Sequence, residues 1–599
     1  MKRARAPIEK SDTESLLPTV KRFVSYLAPH KIKMGIILFL MVVYSISLSA
    51  LPLLMGFATN IIARGPGPLA PLEKVILAII GVGLVLWVSG IISQRLLADV
   101  AQDAVFRLRR DLFAHIQDLS LSFFDKRPIG ELMSRVTNDT QVIEQFLSIG
   151  FLQTGQAVIT IIITTIFMLW LNPLLTVFTY VVVAGLIGFS WMITNVSGPA
   201  FVLLQQKTGD LNGFAEEWLS GEKTVIACRQ QEISRKRFAK HSKMVAQVGE
   251  RAQFSALVSQ PVSNIFTSLQ SILLLVVGGI LAINGNVDIG VLIAFIGFSA
   301  NLMGPLSEIF SMYAQILNAA VGASRVFEIM DEKPVVADQP NAPEMPLVKG
   351  DVTFDHVDFS YIPGRRVLHD NTFHALPGQV FGLCGPTGAG KSTIINILTR
   401  YYDIDDGKIA IDDPNIKDVR QDSIRIQIAQ VLQEPFLFTD TIMANLKYAR
   451  ECATDEECIS AAKQANAHEF IMMQPAGYKT KLIDGGMNLS QGQRQMLTIA
   501  RAIVANPHLL ILDEATSNVD TRTEKLIQQG LLELQKGRTS FIIAHRLSTI
   551  RHADVILVIN RGEIVERGSH QDLMAKKGFY YDLYMSQFRG KLTGIVGAA

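Results

Sequence analysis

The sequence predicts a multidomain chain. An all-α polytopic membrane domain, six transmembrane helices with long cytoplasmic extensions, is followed by an α/β domain. Three observations predict this. Nearly all the long apolar runs of the 599 residues fall between positions 34 and 320. After the acidic, Pro-rich stretch Asp331–Pro346, short β-like runs alternate with helical ones, the pattern of α/β architecture. In that half, the apolar run Val380–Cys384 feeds a glycine-rich turn, GPTGAGKST at Gly385–Thr393, and then a helix-like IINILTRYY.

Composition sets the outer bounds. The chain is 49% hydrophobic and 18% charged, with mean hydropathy +0.28, too apolar for an ordinary soluble protein and long enough for more than one domain. A net charge of +2 gives no ground for a nucleic-acid partner. Cys228, Cys384, Cys452 and Cys458 form no metal or disulfide pattern and fall in segments assigned to the cytosol, where reduced thiols are expected. The basic start MKRARAPIEKSDTESLLP is not followed at once by a short apolar core and cleavage site, so no cleavable signal peptide is expected. The expected division is a membrane domain over 1–330, a linker over 331–349 and the α/β domain over 350–599.

A spanning helix needs roughly 20 apolar residues to cross about 30 Å of hydrocarbon. Six stretches qualify: 34–62, 73–97, 149–171, 173–194, 262–284 and 288–312. Segments 98–148 and 195–261 are rich in Arg and Lys, whereas the other connections together hold only Arg64. Positive-inside bias therefore puts the N-terminus, both long connections and the C-terminal half in the cytoplasm. The long connections lack loop character. Val105, Leu108, Leu112 and Ile116 share one helical face, so the helices are expected to run on past the bilayer. A helix of about 45 residues would be roughly 65 Å long. FFDKRPIGELMSRVTND (Phe123–Asp139) carries the Pro and Gly of a reversal, and a second reversal is expected within Gly209–Val225. Facing an ATPase on the same side, these turns are expected to dock on it.

Strand, glycine-rich turn and helix are the context of a phosphate loop. Backbone N–H groups of Gly385, Thr387, Gly388, Ala389 and Gly390, in the turn shaped by Pro386, lie where the turn meets a helix N-terminus, which favours phosphate charge. Lys391 is expected to reach the β- and γ-phosphates of ATP, and the Ser392 hydroxyl to ligate Mg²⁺. Leu509–Leu512 ends in Asp513 and Glu514; two carboxylates at the end of an apolar strand are costly without a cation. Asp513 suits the Mg²⁺ shell, and Glu514, pointing elsewhere, suits the polarising of attacking water. Gln433 follows the run IAQVL and fits a metal-bound water and a moving loop. His545, after FIIA, fits the γ-phosphate and the water. Tyr361 in VDFSYIPG is placed to stack on adenine, with a core tyrosine as the alternative.

Together these residues resemble the ATP-binding cassette (ABC) transporters, and the layout of six helices before one cassette resembles their exporter half-transporters. The resemblance implies that Gly385–Thr393 is the Walker A loop, Gln433 the Q-loop, Leu489–Gln493 (LSQGQ) the signature, Asp513 and Glu514 Walker B, Ser517–Asp520 the D-loop and His545 the switch histidine. It further implies that Ser490, with Gly492 and Gln493 at a helix N-terminus, caps ATP held by a second half-transporter. The signature reads LSQGQ where LSGGQ is usual, and the D-loop SNVD where SALD is usual. DEATSNVDTRTE resembles the catalytically intact chain of bacterial heterodimeric multidrug exporters, so a heterodimer is expected over a homodimer. The implied cargo is a hydrophobic or amphipathic small molecule, or a lipid or glycolipid, moved across the bacterial cytoplasmic membrane.

Gln153, Gln156, Asn264, Gln270, Asn301 and Glu308 are the polar candidates for lining an internal cavity. Cys384, just before the phosphate loop, reads either as a small buried strand residue or as a thiol whose alkylation blocks ATP binding.

Overall fold

The computed structural model describes residues 22, 25–65, 69–513, 520–544 and 549–586. The expectations at Glu514, Ser517–Val519 and His545 lie outside the described residues. The chain divides into two compact units, 1–117 with 128–332, and 118–127 with 333–599.

In the first unit, six helices are long and apolar enough to cross a membrane. They are α1 (Lys31–Ala63), α2 (Ala70–Asp118), α4 (Ile129–Leu171), α5 (Pro173–Ser220), α8 (Ser259–Ile283) and α9 (Ile289–Asp331). The remaining helices are α3 (Leu121–Lys126), α6 (Glu222–Ala227) and α7 (Gln231–Leu257). At 49 residues, α2 is roughly 74 Å long by the standard rise, so it does run far past a bilayer. The stop between α4 and α5 is local chemistry. Asn172 is extended, its Oδ1 accepts from Leu175 N–H at 3.1 Å, and Pro173 occupies the first helical position, where no donor is needed. The second reversal begins inside the expected window, at Gly221, and is completed beyond it. Helix α5 carries Gly209 and Gly213 in its interior and ends at Ser220; the chain turns at Cys228–Gln230, where Arg229 is left-handed with φ 54°. An interior glycine costs a helix only about 1 kcal/mol, and α7 packs along α5.

Polar side chains stitch the spanning helices. Ser45 pairs with Thr160 and Ser49 with Thr164, each at 2.9 Å and each 115 residues apart, so α1 and α4 run parallel in fixed register. Asn301 Nδ2 donates to Leu48 O at 3.1 Å, and Asn60 Oδ1 accepts from Gly290 N–H at 2.7 Å. A Cβ on Gly56 would sit 2.3 Å from Gly290 O, so α1 and α9 meet backbone to backbone. Two of the six lining candidates are thus placed otherwise than expected. Gln270 is fully buried, and Asn301 is spent on a neighbouring helix. Gln153 and Gln156 are half-buried, while Asn264 and Glu308 lie on the surface of this unit. Near the inner end of α4, the buried Asp139 accepts from Arg135 at 3.0 Å and Arg325 at 2.9 Å, tying α4 to α9.

The second unit has two sheets. Strands β1 (Val352–Ile362), β2 (Arg365–Ala375) and β4 (Asp406–Ile411) form an antiparallel sheet in the order β2-β1-β4. The larger sheet has the order β5-β6-β7-β3-β8-β9. Its members are β3 (Val380–Cys384), β5 (Ile428–Val431), β6 (Leu509–Asp513), β7 (Thr539–Ile543), β8 (Val555–Asn560) and β9 (Glu563–Gly568). All its pairings are parallel except β8 with β9. Every residue of β7 is buried, as are Leu509–Leu512 of β6. Strands covered on both faces read as unbroken apolar runs. The short helix α3 belongs to this unit: Ser120 Oγ accepts from Val336 N–H at 3.0 Å, and Tyr402 O–H donates to Asp125. The first cytoplasmic turn is docked as expected. Helix α6, in the second turn, has no buried residue.

Candidate nucleotide site

Strands β3, β5, β6 and β7 end at the same carboxyl-terminal edge of the parallel sheet, the usual ligand edge of an open α/β sheet. The loop after β3 opens at Gly385, φ 152°, where a Cβ would lie 2.0 Å from Ile559 O. It closes at Gly390, φ 110°, where a Cβ would meet Leu368 Cδ2 at 2.8 Å. Only glycine satisfies both the left-handed backbone and the close approach. Pro386, Thr387 and Gly388 are exposed at the loop tip, and Ala389 is buried. Helix α10 (Lys391–Leu398) then begins. The Lys391 ammonium folds back over the loop, donating to Gly385 O at 2.8 Å and Pro386 O at 2.9 Å. Ser392 is exposed in the first turn and Thr393 buried.

Tyr361, 39% exposed near the end of β1, is tied to this loop. Its hydroxyl donates to Thr393 Oγ1 at 3.3 Å and accepts from Asn396 Nδ2 at 3.1 Å. One face of the aromatic group is open, yet the ring is fixed relative to the phosphate loop. Asp513 closes β6 beside Ile543 of β7, and Gln433 is exposed two residues past β5. Asp513 and Ser392 offer oxygen donors of the kind a hard divalent cation takes, so the residues present fit Mg²⁺.

Ser490 caps helix α11 (Gln491–Ala505) in a capping box. Its Oγ accepts from Gln493 N–H at 3.3 Å, while Gln493 Oε1 accepts from Ser490 N–H at 2.9 Å. Gly492 is buried in the first turn. The Gln493 side chain is thereby engaged with the helix start, and the α11 N-terminus is preformed for an anion. Cys384 is fully buried at the end of β3; burial pushes its thiol up to about 12. A thiol so placed is a packed strand residue and not a reactive one.

Sequence reasoning missed Tyr402 and Asn396, which flank Tyr361. The Tyr401-Tyr402 pair directly after the phosphate-loop helix was the available signal. It also missed Arg501, which donates to Asn445 O at 2.9 Å, Asn445 Oδ1 at 2.8 Å and Phe436 O at 3.0 Å. These bonds brace a groove of about 380 Å³ lined by Phe436, Phe438 and Tyr448, just beyond Gln433.

Comparison with known proteins agrees with this geometry. Residues 34–306 match the ABC transporter transmembrane region, and residues 368–517 match the ABC transporter family. An uncharacterized ABC transporter ATP-binding protein of Bacillus subtilis is 40% identical over 98% of this chain and 96% of its own length. A fatty acid ABC transporter ATP-binding/permease protein of Mycobacterium bovis is 41% identical over 84% of this chain and 78% of its own. A putative multidrug export ATP-binding/permease protein of Staphylococcus aureus is 34% identical over 95% of this chain and 100% of its own. Among solved structures, a bacterial Atm1-family ABC exporter with ATP bound superposes with a TM-score of 0.79 at 29% identity, covering 93% of this chain and 98% of that one. With six apolar helices and an ATPase fold in one polypeptide, the chain belongs to the ABC exporters, multi-pass membrane half-transporters that dimerise and couple ATP hydrolysis to transport.

Proposed function

We propose that this chain exports hydrophobic or amphipathic small molecules of the multidrug type across the bacterial cytoplasmic membrane by alternating access. The observation that carries the reading is the fixed triad of Tyr361, Thr393 and the Lys391-covered glycine turn on a chain with six apolar spans. Tyr361 takes the adenine face. Gly385, Pro386, Thr387, Gly388, Ala389, Gly390, Lys391, Ser392 and Thr393 hold the phosphates. Asp513, Ser392 and Gln433 hold Mg²⁺ and its water; the cation, when bound, neutralises charge on the β- and γ-phosphates. Glu514 polarises the attacking water, and His545 and Gln433 orient it.

Ser490, Gly492 and Gln493 face the γ-phosphate held by a second half-transporter. We favour a heterodimeric mate, because Gln491 replaces the usual glycine of the signature while Lys391, Asp513, Glu514 and His545 are retained. Moving a two-state equilibrium from 1:99 to 99:1 takes about 5.5 kcal/mol of differential binding. Contacts to ATP made only in the closed dimer are the source. The N-terminus and the ATPase unit lie in the cytoplasm, as the basic connections require.

A lipid or glycolipid cargo is the second reading. The 41% identity to a protein named as a fatty acid transporter supports it. Proteoliposomes carrying the chain, alone and with a candidate second half-transporter, test both. ATP-dependent movement of a cationic amphipathic dye supports the first reading, and movement of a labelled phospholipid or fatty acid supports the second. Glu514→Gln is expected to abolish hydrolysis while ATP stays bound; full turnover in that variant contradicts the assigned base.

A further inference from the structure

Helix α3, in the first cytoplasmic turn, is joined to the adenine platform by one side chain. Tyr402 lies just past the phosphate-loop helix and is 8% exposed. Its ring meets that of Tyr361 edge-on, with centroids 5.0 Å apart at 89°. Phe359 packs edge-on against both, at 4.8 Å from Tyr361 and 5.8 Å from Tyr402. At its far end, the Tyr402 hydroxyl donates to Asp125 Oδ2, in the last turn of α3. The other end of α3 is held by Ser120 Oγ and Val336 N–H at 3.0 Å, and Phe123 is buried between them. Asp125 itself is exposed, so Tyr402 is the partner that fixes it.

This arrangement makes α3 sensitive to the ring of Tyr361 and not only to the phosphate loop. Thr393 and Asn396 hold the hydroxyl end of Tyr361, and a base stacked on the ring adds a constraint on its tilt. The ring contact passes the constraint to Tyr402, because an edge-to-face pair tolerates little sliding in a packed setting. The Tyr402 hydroxyl in turn keeps or loses its charge-assisted bond to Asp125. A ligand shifts such an equilibrium only by what it contributes differently to the two states. Phosphate groups alone do not touch the Tyr361 ring.

We propose that Tyr402 is a positioning residue through which the base of the bound nucleotide, sensed at Tyr361, sets the docking of α3 on the ATPase unit. The inference rests on the adenine role given to Tyr361 above.

The test is hydrogen exchange on the full chain carrying Glu514→Gln, without ligand, with Mg-ATP and with Mg-tripolyphosphate. Both ligands are expected to protect peptides covering 385–393. Only ATP is expected to slow exchange over 118–127. Tyr402→Phe keeps every ring contact and removes one hydroxyl. It is expected to retain protection of 385–393 by ATP while 118–127 exchanges about tenfold faster, the scale of one hydrogen bond to a charged group. Asp125→Ala, at an exposed position, is expected to do the same, and the double variant to go no further. Equal protection of 118–127 by tripolyphosphate, or retention of the ATP effect in Tyr402→Phe, overturns the inference and leaves the nucleotide site intact. If ATP protects the Tyr361 strand, 352–362, no better than tripolyphosphate does, the adenine role of Tyr361 itself is wrong, and this inference falls with it.

Discussion

Removing the Arg400 guanidinium should loosen the Pro-rich linker from the ATPase unit. Arg400 is 1% exposed. Its Nη1 donates to Asp338 Oδ1 at 3.1 Å and Val419 O at 2.5 Å, its Nη2 to Ala337 O at 3.4 Å, and its Nε to Asp403 Oδ1 at 3.3 Å. Ala337 and Asp338 lie in the linker, so one buried cation pins it. Breaking a buried pair from one side costs about 3–5 kcal/mol. The two carboxylates remain 33% and 29% exposed, so water recovers part of the loss and the lower figure applies. The backbone at Arg400 is left-handed, φ 51°. Arg400 already bears that strain, so Arg400→Ala keeps it and shows the loss of the guanidinium alone, whereas Arg400→Gly relieves about 1 kcal/mol of it. In a domain of this size, 1 kcal/mol shifts Tm by about 2–4 °C. Arg400→Ala should then lower the melting of the detergent-solubilised chain by about 6–12 °C, with Arg400→Gly a few degrees less. Arg400→Lys should fall in between, since a single ammonium does not reproduce the planar fork. Differential scanning fluorimetry of the three variants decides it. If Arg400→Ala melts within 2 °C of the parent, or Arg400→Lys matches the parent, the guanidinium is not the post that holds the linker.

Asp139→Ala leaves Arg135, whose guanidinium is mostly buried, with Glu131 alone at 2.9 Å and removes the partner of Arg325, so it should destabilise the membrane unit by about 2 kcal/mol; Arg325→Ala, at a 44% exposed side chain, should cost less, and thermal denaturation in detergent ranks the two. Cys384 should resist alkylation in the native protein. Its thiol ionises near 12 when folded but at about 8.5 when unfolded, so its contribution is intact below the unfolded value and fades as pH rises toward the folded one. Cys384→Ala should accordingly show a shallower loss of stability than the parent above about pH 9 in alkaline unfolding. Ser490→Ala loses an N-cap, worth about 1 kcal/mol of stability; if Ser490 also faces the partner's ATP, hydrolysis by the dimer should fall by tenfold or more, and a small melting shift with unchanged turnover would confine the residue to its capping role.

The parts of the fold that could be read from sequence were those fixed by local chemistry. Hydropathy is summed residue by residue, so all six spans were visible. The loop at Gly385–Thr393 was visible because glycine positions, a lysine and a helix start fall in one short segment. The window for the second reversal opened too early because Gly209 and Gly213 look like breaks, yet α7 packs along α5 and the helix continues through them to Ser220. Tyr361 was readable only as an aromatic at a plausible distance. What makes it a platform is Thr393 and Asn396, 32 and 35 residues away, and Tyr402 is bonded to a residue 277 positions distant. No periodicity encodes such pairings. The expectations at Glu514 and His545 lie outside the described residues.

The spanning helices bear on cargo through how they use their polar groups. Ser45, Ser49, Thr160 and Thr164 bond to one another across α1 and α4, and Asn60 and Asn301 bond to backbone of neighbouring helices. These groups set helix register. In a bilayer that is their least costly use, since an unpaired polar group in hydrocarbon costs several kcal/mol. A passage whose hydrogen-bonding side chains are largely committed to packing selects by size and apolar surface. Such a surface discriminates by about 10–200-fold per methylene and about 100-fold against an added hydroxyl, whereas a site built to hydrogen-bond its ligand reaches about 10⁴ or more. Under the multidrug reading proposed above, broad selectivity is the expected consequence of the same bonds that hold the bundle together. A panel of amphipathic cargoes differing by one hydroxyl should be transported with relative efficiencies spread over no more than about 100-fold. A spread of 10⁴ would require a dedicated polar recognition site among Gln153, Gln156, Asn264 and Glu308, and alanine variants at those four positions would locate it.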